Sequence, residues 1–155
     1  MNINSLCPLF KSLDDEGIEF DIANYIGKKT IVIFFYPKDD TPGCTIEACS
    51  FRDQYNIFSD LDCKVIGISS DSVKSHQNFK SKYNLPYTLL SDPEKKIRSL
   101  FKVPSHLFGL IAGRVSYVID KKGMIKGIFN SQLNPTSHVK KTINCIIHNK
   151  LNIKE

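Results

Sequence analysis

The sequence predicts an α/β fold in which a central mixed sheet carries helices on both faces and begins with a β-hairpin. Three observations support this prediction. Residues 30–36 and 63–69 are β-branched and apolar runs, typical of strands that are buried on both faces. A helical pattern follows each run, which makes a βαβα unit with parallel strands. Two later strands flank Lys122-Gly123, a pattern typical of an antiparallel hairpin.

The N-terminal segment predicts the β-hairpin, because an acidic turn at 14–17 separates two short apolar pieces. Residues 22–26 predict a short helical turn that ends at Gly27. The strand over 30–36 then stops at Pro37, which has no N–H group to donate to a sheet.

The middle of the chain predicts alternating helices and strands. Asp71 or Ser72 is available as an N-cap, and Pro93 suits the first position of a helix, where an N–H group has no partner to lose. In order, the predicted elements are a helix over 45–58, a strand over 63–69, a helix over 73–83, a strand over 88–90 and a helix that begins at Pro93 and closes at 100–103.

The C-terminal part predicts a loop over 105–113, strands over 115–120 and 125–129, and a last helix over about 135–149. Apolar residues at helical spacing should pack this last helix on the sheet. These residues are Val139, Ile143 and Ile146. A parallel half joined to an antiparallel half, with helices on both faces, is the thioredoxin-like arrangement.

Length and composition indicate one globular domain over residues 1–155. The formal charge of +5 comes from scattered or paired lysines, so nucleic-acid binding is not expected. No apolar window reaches the length that crosses a membrane, and residues 1–10 show no signal-peptide pattern. Five cysteines without such a signal favour a reducing compartment, and we expect a cytoplasmic protein.

One cysteine, Cys44, falls in the first turn of a helix that follows a buried strand. Unpaired N–H groups and the positive end of the helix dipole favour a thiolate there, and the Thr41 hydroxyl is a further candidate donor. A helix end contributes only about 0.3–1 kcal/mol, so a strong effect needs a cation as well. Arg114, which stands just before the strand over 115–120, is the candidate cation, and Glu47 could hold its guanidinium in a fixed orientation.

A second cysteine, Cys49, lies five positions after Cys44. In a regular helix their Cα atoms would be about 8–9 Å apart, whereas a disulfide needs less than about 7 Å. If the two cysteines are a redox pair, the first turns of the helix must therefore unwind. The remaining cysteines are interpreted as small buried residues: Cys7, Cys63 and Cys145. The histidines lack the spacing of a zinc site: His76, His106, His138 and His148.

The cysteine loop resembles a known signature. Pro37-x-x-x-Thr41-x-x-Cys44 is similar to the peroxidatic motif of the peroxiredoxins. Its continuation, Thr41-Pro42-Gly43-Cys44-Thr45-x-Glu47-x-x-Cys49, resembles the bacterioferritin comigratory protein, or peroxiredoxin Q, branch of that family. The segment Gly113–Asp120 is similar to the one that carries the family's active-site arginine, and the resemblance extends from about Asn4 to about His148.

This resemblance implies a catalytic cycle for the two cysteines. Cys44 would attack the O–O bond of hydrogen peroxide or an alkyl hydroperoxide and become a sulfenic acid. Cys49 would condense with that sulfenic acid to an intramolecular disulfide, which thioredoxin usually reduces. The family's fold is thioredoxin-like, the branch leans towards monomers, and no metal, flavin or haem is required.

The resemblance also implies roles for the residues around Cys44. Thr41, the N–H groups near Gly43 and Cys44, and Arg114 would bind the peroxide oxygens. Pro37 would shield the pocket from water. Glu47 would orient the arginine.

Proteins with this fold have other functions as well. A glutathione-peroxidase-like site uses a tryptophan, and the chain has none. A copper-carrying assembly factor would need a C-x₃-C motif, but four residues separate Cys44 from Cys49. A non-catalytic redox sensor or holdase remains an alternative, with Leu107, Phe108 and Leu110 as exposed apolar surface. A resolving role for Cys7, Cys63 or Cys145 also remains open.

Overall fold

The computed structural model describes residues 1–106, 108–109 and 111–152. The described residues form nine strands, five α-helices and a 3₁₀-helix over Ile22–Asn24. The strands are β1 (Lys11–Asp14), β2 (Glu19–Asp21), β3 (Thr30–Phe35), β4 (Cys63–Ser69), β5 (Thr88–Ser91), β6 (Ser105–His106), β7 (Ile111–Ala112), β8 (Val115–Ile119) and β9 (Ile125–Asn130). The helices are α1 (Pro42–Asp53), α2 (Tyr55–Asp60), α3 (Val73–Tyr83), α4 (Lys96–Leu100) and α5 (Pro135–Asn152).

Seven of the strands form one mixed sheet in the order β2-β1-β5-β4-β3-β8-β9. The pairs β3–β4 and β4–β5 are parallel, whereas β8 pairs antiparallel with both β3 and β9. The N-terminal hairpin joins the same sheet, because β1 pairs antiparallel with β5. The predicted thioredoxin-like architecture is confirmed.

Strand β3 lies at the centre of the core, and all six of its residues are buried. Its side chains alternate between two apolar clusters. Ile31, Ile33 and Phe35 belong to the cluster on one face, which α4 and the 3₁₀-helix cover. Val32 and Phe34 belong to the cluster on the other face, together with side chains of α1, α2, α3 and α5. The helices are therefore divided unequally between the two faces. Within the described part of the chain, no helix has an apolar stretch long enough to cross a membrane.

Several predicted boundaries are confirmed. Strand β4 and helix α3 have the predicted bounds, and Ser72 is the N-cap whose hydroxyl accepts the N–H of Ser75. The turn between β8 and β9 closes around Gly123, which has φ +83°. Helix α5 begins at the predicted Pro135 and runs three residues beyond the predicted end, to Asn152.

Two helix predictions are wrong at their boundaries. The segment predicted as one helix over 45–58 begins at Pro42 and is divided into α1 and α2 at Gln54, whose φ of −104° and ψ of 10° leave the helical geometry. The helix expected from Pro93 begins only at Lys96, because Lys95 adopts a left-handed conformation. The carboxylate of Asp92 then accepts the N–H groups of Ile97 and Arg98 and so caps α4 from outside.

The loop expected over 105–113 contains a short antiparallel ribbon of β6 and β7 instead. Phe108, at its tip, is fully exposed. Leu107 and Leu110, the other two residues of the expected apolar surface, lie outside the described residues. The holdase alternative therefore stays a prediction.

Candidate active site

Cys44 lies at the third position of α1, where it is only 2% exposed. The helix begins after Thr41, whose backbone is extended, and Pro42 takes the first position. By helix geometry, the N–H groups of Gly43 and Cys44 have no carbonyl partner inside the helix. The positive end of α1 is therefore beside the Cys44 sulfur.

Arg114 is brought to Cys44 by the pairing of β8 with β3. Val115 pairs with Phe35, so Arg114 stands just beyond the carboxyl end of β3. The loop over 37–41, which we call the catalytic loop, begins at this point and leads into α1. The guanidinium is buried, and its Nη2 lies 3.5 Å from the Cys44 sulfur. A Cβ atom at Gly43 would be only 3.1 Å from this Nη2, so the glycine leaves room for the guanidinium.

Two further acceptors fix the orientation of Arg114. Its Nη1 donates to Oε1 of Glu47 over 3.2 Å, and its Nε donates to the backbone carbonyl of Gln132 over 3.4 Å. All three nitrogens of the guanidinium thus have partners, and one of these partners is the Cys44 sulfur. The structure brings together Cys44, Glu47 and Arg114 as the sequence predicted, while their chemical roles stay predictions.

Glu47 is completely buried, and burial raises the pKa of its carboxyl from 4.5 to about 8. The charge and hydrogen bond of Arg114 oppose this rise only in part. The second oxygen, Oε2, has no hydrogen-bond partner. Burying an ionised carboxylate with one oxygen unsatisfied is unfavourable, which is why desolvation has the larger effect on the pKa.

We expect Glu47 to make the folded state less stable as the pH rises. The unfolded carboxyl ionises near 4.5 and the folded one near 8, so the folded protein binds more protons between these values. The contribution of the protonated Glu47 carboxyl to the stability of the folded state is fully present below pH 4.5 and is lost as the pH rises to about 8. Glu47→Gln keeps a carbonyl acceptor for Arg114 but cannot ionise. The melting temperature of the wild type, measured relative to this variant, should fall across this window; a constant difference would contradict the assignment.

His138 lies next to Glu47, and no feature of the sequence predicts this position. Its Nε2 donates to the carbonyl of Ser131 over 2.9 Å and is 3.8 Å from Oε2 of Glu47. Its Nδ1 is 2.8 Å from the Ser116 hydroxyl. Burial lowers the pKa of His138, so the neutral ring with the proton on Nε2 fits both contacts. His138 thereby holds Ser131 in place. The carbonyl of the following residue, Gln132, accepts a hydrogen bond from Arg114.

Arg98 is a second buried residue that sequence reasoning missed. Its guanidinium donates to the carbonyls of Gly113 and Tyr36 over 3.0 and 3.2 Å. These carbonyls belong to the residues just before Arg114 and Pro37, so Arg98 ties together the two segments that meet at the site. Nothing in its sequence neighbourhood distinguishes Arg98 from a surface arginine.

The expectation that the Thr41 hydroxyl donates to Cys44 is wrong for this conformation. The hydroxyl donates to the carbonyl of Lys38 over 2.9 Å. A hydroxyl has a single proton, so this bond uses the donor that was assigned to the thiolate. The hydroxyl oxygen keeps a lone pair. Pro37 lies at the start of the same loop and is partly exposed.

Cys49 shares α1 with Cys44, and both are free thiols in a continuous helix. Cys49 is partly exposed, and burial raises its pKa, an effect that the charge of Arg52 opposes in part. The two sulfurs occupy different faces of the helix, as expected of residues five positions apart. A bond between them requires α1 to unwind locally.

The other cysteines lie apart from this pair. Cys7 and Cys63 are buried, and burial raises their pKa to about 12 and about 11. Cys145 is half-buried and contacts the carbonyl of Lys126. The prediction that Cys7 and Cys63 are small buried residues is confirmed.

A model of the AhpC/TSA family matches residues 3–128. The chain belongs to this family. The chloroplastic peroxiredoxin Q of Sedum lineare is 46% identical over 136 residues, which are 88% of this chain and 73% of the relative. The corresponding protein of Suaeda salsa is 45% identical over 139 residues, which are 90% of this chain and 64% of the relative. The predicted membership of the peroxiredoxin Q branch is confirmed.

The crystal structure of peroxidoxin BcpB from Mycobacterium tuberculosis has the same fold as this peroxiredoxin. The two chains are 29% identical with a TM-score of 0.88, and the match covers 96% of this chain and 97% of the other. The chain spans just under two thirds, 64%, of the length of the Suaeda salsa relative. Both plant relatives are described as chloroplastic, a property of those proteins.

Proposed function

We propose that the chain is a thiol peroxidase that reduces hydrogen peroxide and alkyl hydroperoxides. The Cys44 thiolate attacks one peroxide oxygen, the O–O bond breaks, and the other oxygen leaves as water or an alcohol once it has taken a proton. The sulfur is oxidised to a sulfenic acid and the peroxide is reduced. No bound metal or organic cofactor takes part in these steps.

The observation that carries this proposal is the contact of 3.5 Å between Nη2 of Arg114 and the Cys44 sulfur at the start of α1. A fixed cation and two N–H groups favour the thiolate and can also stabilise negative charge on the leaving oxygen. Glu47 and the Gln132 carbonyl hold the cation, so little reorganisation is needed when the charge moves.

The second half of the cycle uses Cys49 as the resolving thiol. Its sulfur displaces the hydroxyl of the sulfenic acid, water leaves, and a Cys44–Cys49 disulfide forms. Thioredoxin, or a similar dithiol, then reduces this disulfide and is itself oxidised. In this reading the protein is an atypical 2-Cys peroxiredoxin that alternates between a wound and an unwound α1.

Peroxide consumption by the purified protein, followed by stopped flow with and without thioredoxin, tests the function. Continued turnover with thioredoxin supports a peroxidase. Consumption that stops at one peroxide per protein molecule in the presence of thioredoxin would favour the stoichiometric sensor instead.

Cys49→Ser should keep one round of Cys44 oxidation and lose thioredoxin-linked cycling. The substitution removes the resolving sulfur but leaves the contacts of Cys44 with Arg114 unchanged. Sulfenic acid and overoxidised Cys44 should accumulate, as measured by mass spectrometry. Cys145→Ser is the control, because Cys145 is also partly exposed. Normal cycling by Cys49→Ser would show that another thiol resolves.

We further expect a cytoplasmic monomer that binds neither nucleic acid nor a membrane. Size-exclusion chromatography with light scattering tests the oligomeric state directly.

A further inference from the structure

A buried polar cluster lies beside the catalytic loop. Asp39, within this loop, is at its centre. Its Oδ1 accepts the Tyr36 hydroxyl over 2.6 Å. Its Oδ2 accepts the Ser75 hydroxyl over 2.8 Å and lies 2.7 Å from Nδ1 of His76. Tyr36, Asp39 and His76 are all buried.

The backbone of the loop is held in the same place. The N–H of Asp39 donates to Oδ2 of Asp71 over 2.8 Å. Asp40 has a left-handed backbone with φ +57°, and its carboxylate accepts from Lys82 and the Tyr83 hydroxyl, each over 2.8 Å. The Asp40 contacts are exposed and contribute little, so Asp39 supplies most of the attachment.

Asp39, Asp71 and His76 also bring possible metal ligands within 4.8 Å of one another, but the hydrogen bonds favour another reading. Nε2 of His76 faces the Leu90 carbonyl over 3.0 Å, and a carbonyl can only accept. Oδ2 of Asp71 already accepts the Ser69 hydroxyl over 2.6 Å as well as the Asp39 N–H. Each candidate ligand atom therefore has a partner within the protein, and the cluster is a satisfied structural attachment.

The attachment matters because the first turn of α1 has little support of its own. The Thr41 side chain makes no capping bond to the helix, since its hydroxyl donates back to Lys38. Only three residues separate Asp40 from Cys44. The position of Asp39 and Asp40 against α3 therefore restricts where Cys44 can be.

We propose that the hydrogen bonds of Asp39 to Tyr36, Ser75 and His76 act as a clamp that holds the first turn of α1 wound and Cys44 in its pocket. The clamp then sets how often Cys44 leaves Arg114 and meets Cys49. Asp39 and His76 are positioning residues, because they act on the reacting sulfur only through the loop. This inference rests on the proposed function for its catalytic consequence, but the structural part can be tested without catalysis.

Asp39→Ala removes all three side-chain bonds and should raise the population of the unwound form about tenfold or more, since each bond contributes measurably to the ordered state. If the unwound form is a minor state, the rate of disulfide formation after one equivalent of peroxide rises in proportion. The rate of Cys44 oxidation should not rise, because the wound form already dominates. Overoxidised Cys44 at high peroxide should decrease, because resolution competes with a second oxidation.

Hydrogen exchange of residues 38–44 in the reduced protein is the readout that does not depend on activity. Asp39→Ala should exchange about tenfold faster there. Ser75→Ala removes one bond and should show a smaller change of the same sign, which keeps the test valid if Asp39→Ala fails to fold. Asp39→Asn should recover part of the wild-type behaviour, because its amide oxygen can still accept the Tyr36 hydroxyl and its amide N–H group can donate to the Ser75 hydroxyl oxygen.

Asp15→Ala is the matched control. Asp15 is also buried and accepts from the Leu89 N–H and from Lys80, but it makes no bond to the catalytic loop. Exchange and disulfide formation that change equally in Asp15→Ala and Asp39→Ala would overturn the clamp. A wild-type protein that neither consumes peroxide nor forms the disulfide would contradict the proposed function, while the exchange experiment would still decide the clamp.

Discussion

Cys44→Ser should abolish peroxide turnover. A serine hydroxyl stays protonated at neutral pH and cannot replace a thiolate as the attacking atom. The side chain differs by one atom and occupies the same buried position, so the fold and the contacts of Arg114 should be kept. The measurement is peroxide consumption with thioredoxin present, which should fall to the level without protein. Circular dichroism of the variant checks that the fold is intact.

Cys63→Ser is the matched control for this result. Cys63 is also buried, and its sulfur contacts the carbonyl of Leu61, which a serine hydroxyl can equally well contact. This variant should keep full turnover, because burial raises the pKa of Cys63 to about 11 and keeps it a thiol. Peroxide consumption that survives Cys44→Ser would mean that a different cysteine carries the reaction, and the proposed mechanism would be wrong.

The central strands β3 and β4 were predictable because nearly all of their residues are buried and apolar. The run 30–36 is apolar at every position but the first, and a segment of that kind can only be satisfied between two covered faces. Helix ends were less predictable, since they depend on contacts made after folding. Asp92 caps α4, although it lies four residues before the first residue of this helix. Lys95, immediately before the helix, has a left-handed backbone that no sequence pattern predicts.

The residues of the candidate site also differ in how well the sequence predicts them. The local motif around Cys44 and the position of Arg114 before a strand made Arg114 and Glu47 candidates, and the resemblance to the peroxiredoxins was needed to prefer them over surface charges. The Gln132 carbonyl was not predictable, because a backbone group has no residue type that marks it. His138 and Asp39 act through partners 22 and 37 positions away in sequence, at Ser116 and His76, and only the folded chain brings these pairs together.

Arg114→Ala should slow the oxidation of Cys44 by a factor of about 100 or more. Removing one preorganised donor from a developing negative charge has an effect of roughly this size in other enzymes. The rate is measured in a single turnover by stopped flow, so that resolution by Cys49 does not contribute. Arg52→Ala is the control, because Arg52 lies on the same helix but donates to Asp53 and the Tyr83 carbonyl. An unchanged rate would remove Arg114 from the site.

Arg114→Ala also leaves Glu47 buried without its cation, which should destabilise the fold as the pH rises. Loss of folded protein would lower the measured rate in the same direction as a catalytic defect. The double variant Arg114→Ala/Glu47→Gln separates the two effects, since an amide needs no counter-charge. Its melting temperature should recover relative to Arg114→Ala at alkaline pH, whereas its rate of Cys44 oxidation should stay low. Recovery of both quantities together would show that Arg114 serves only to neutralise Glu47, and the peroxide would then have to be activated by the start of α1 alone.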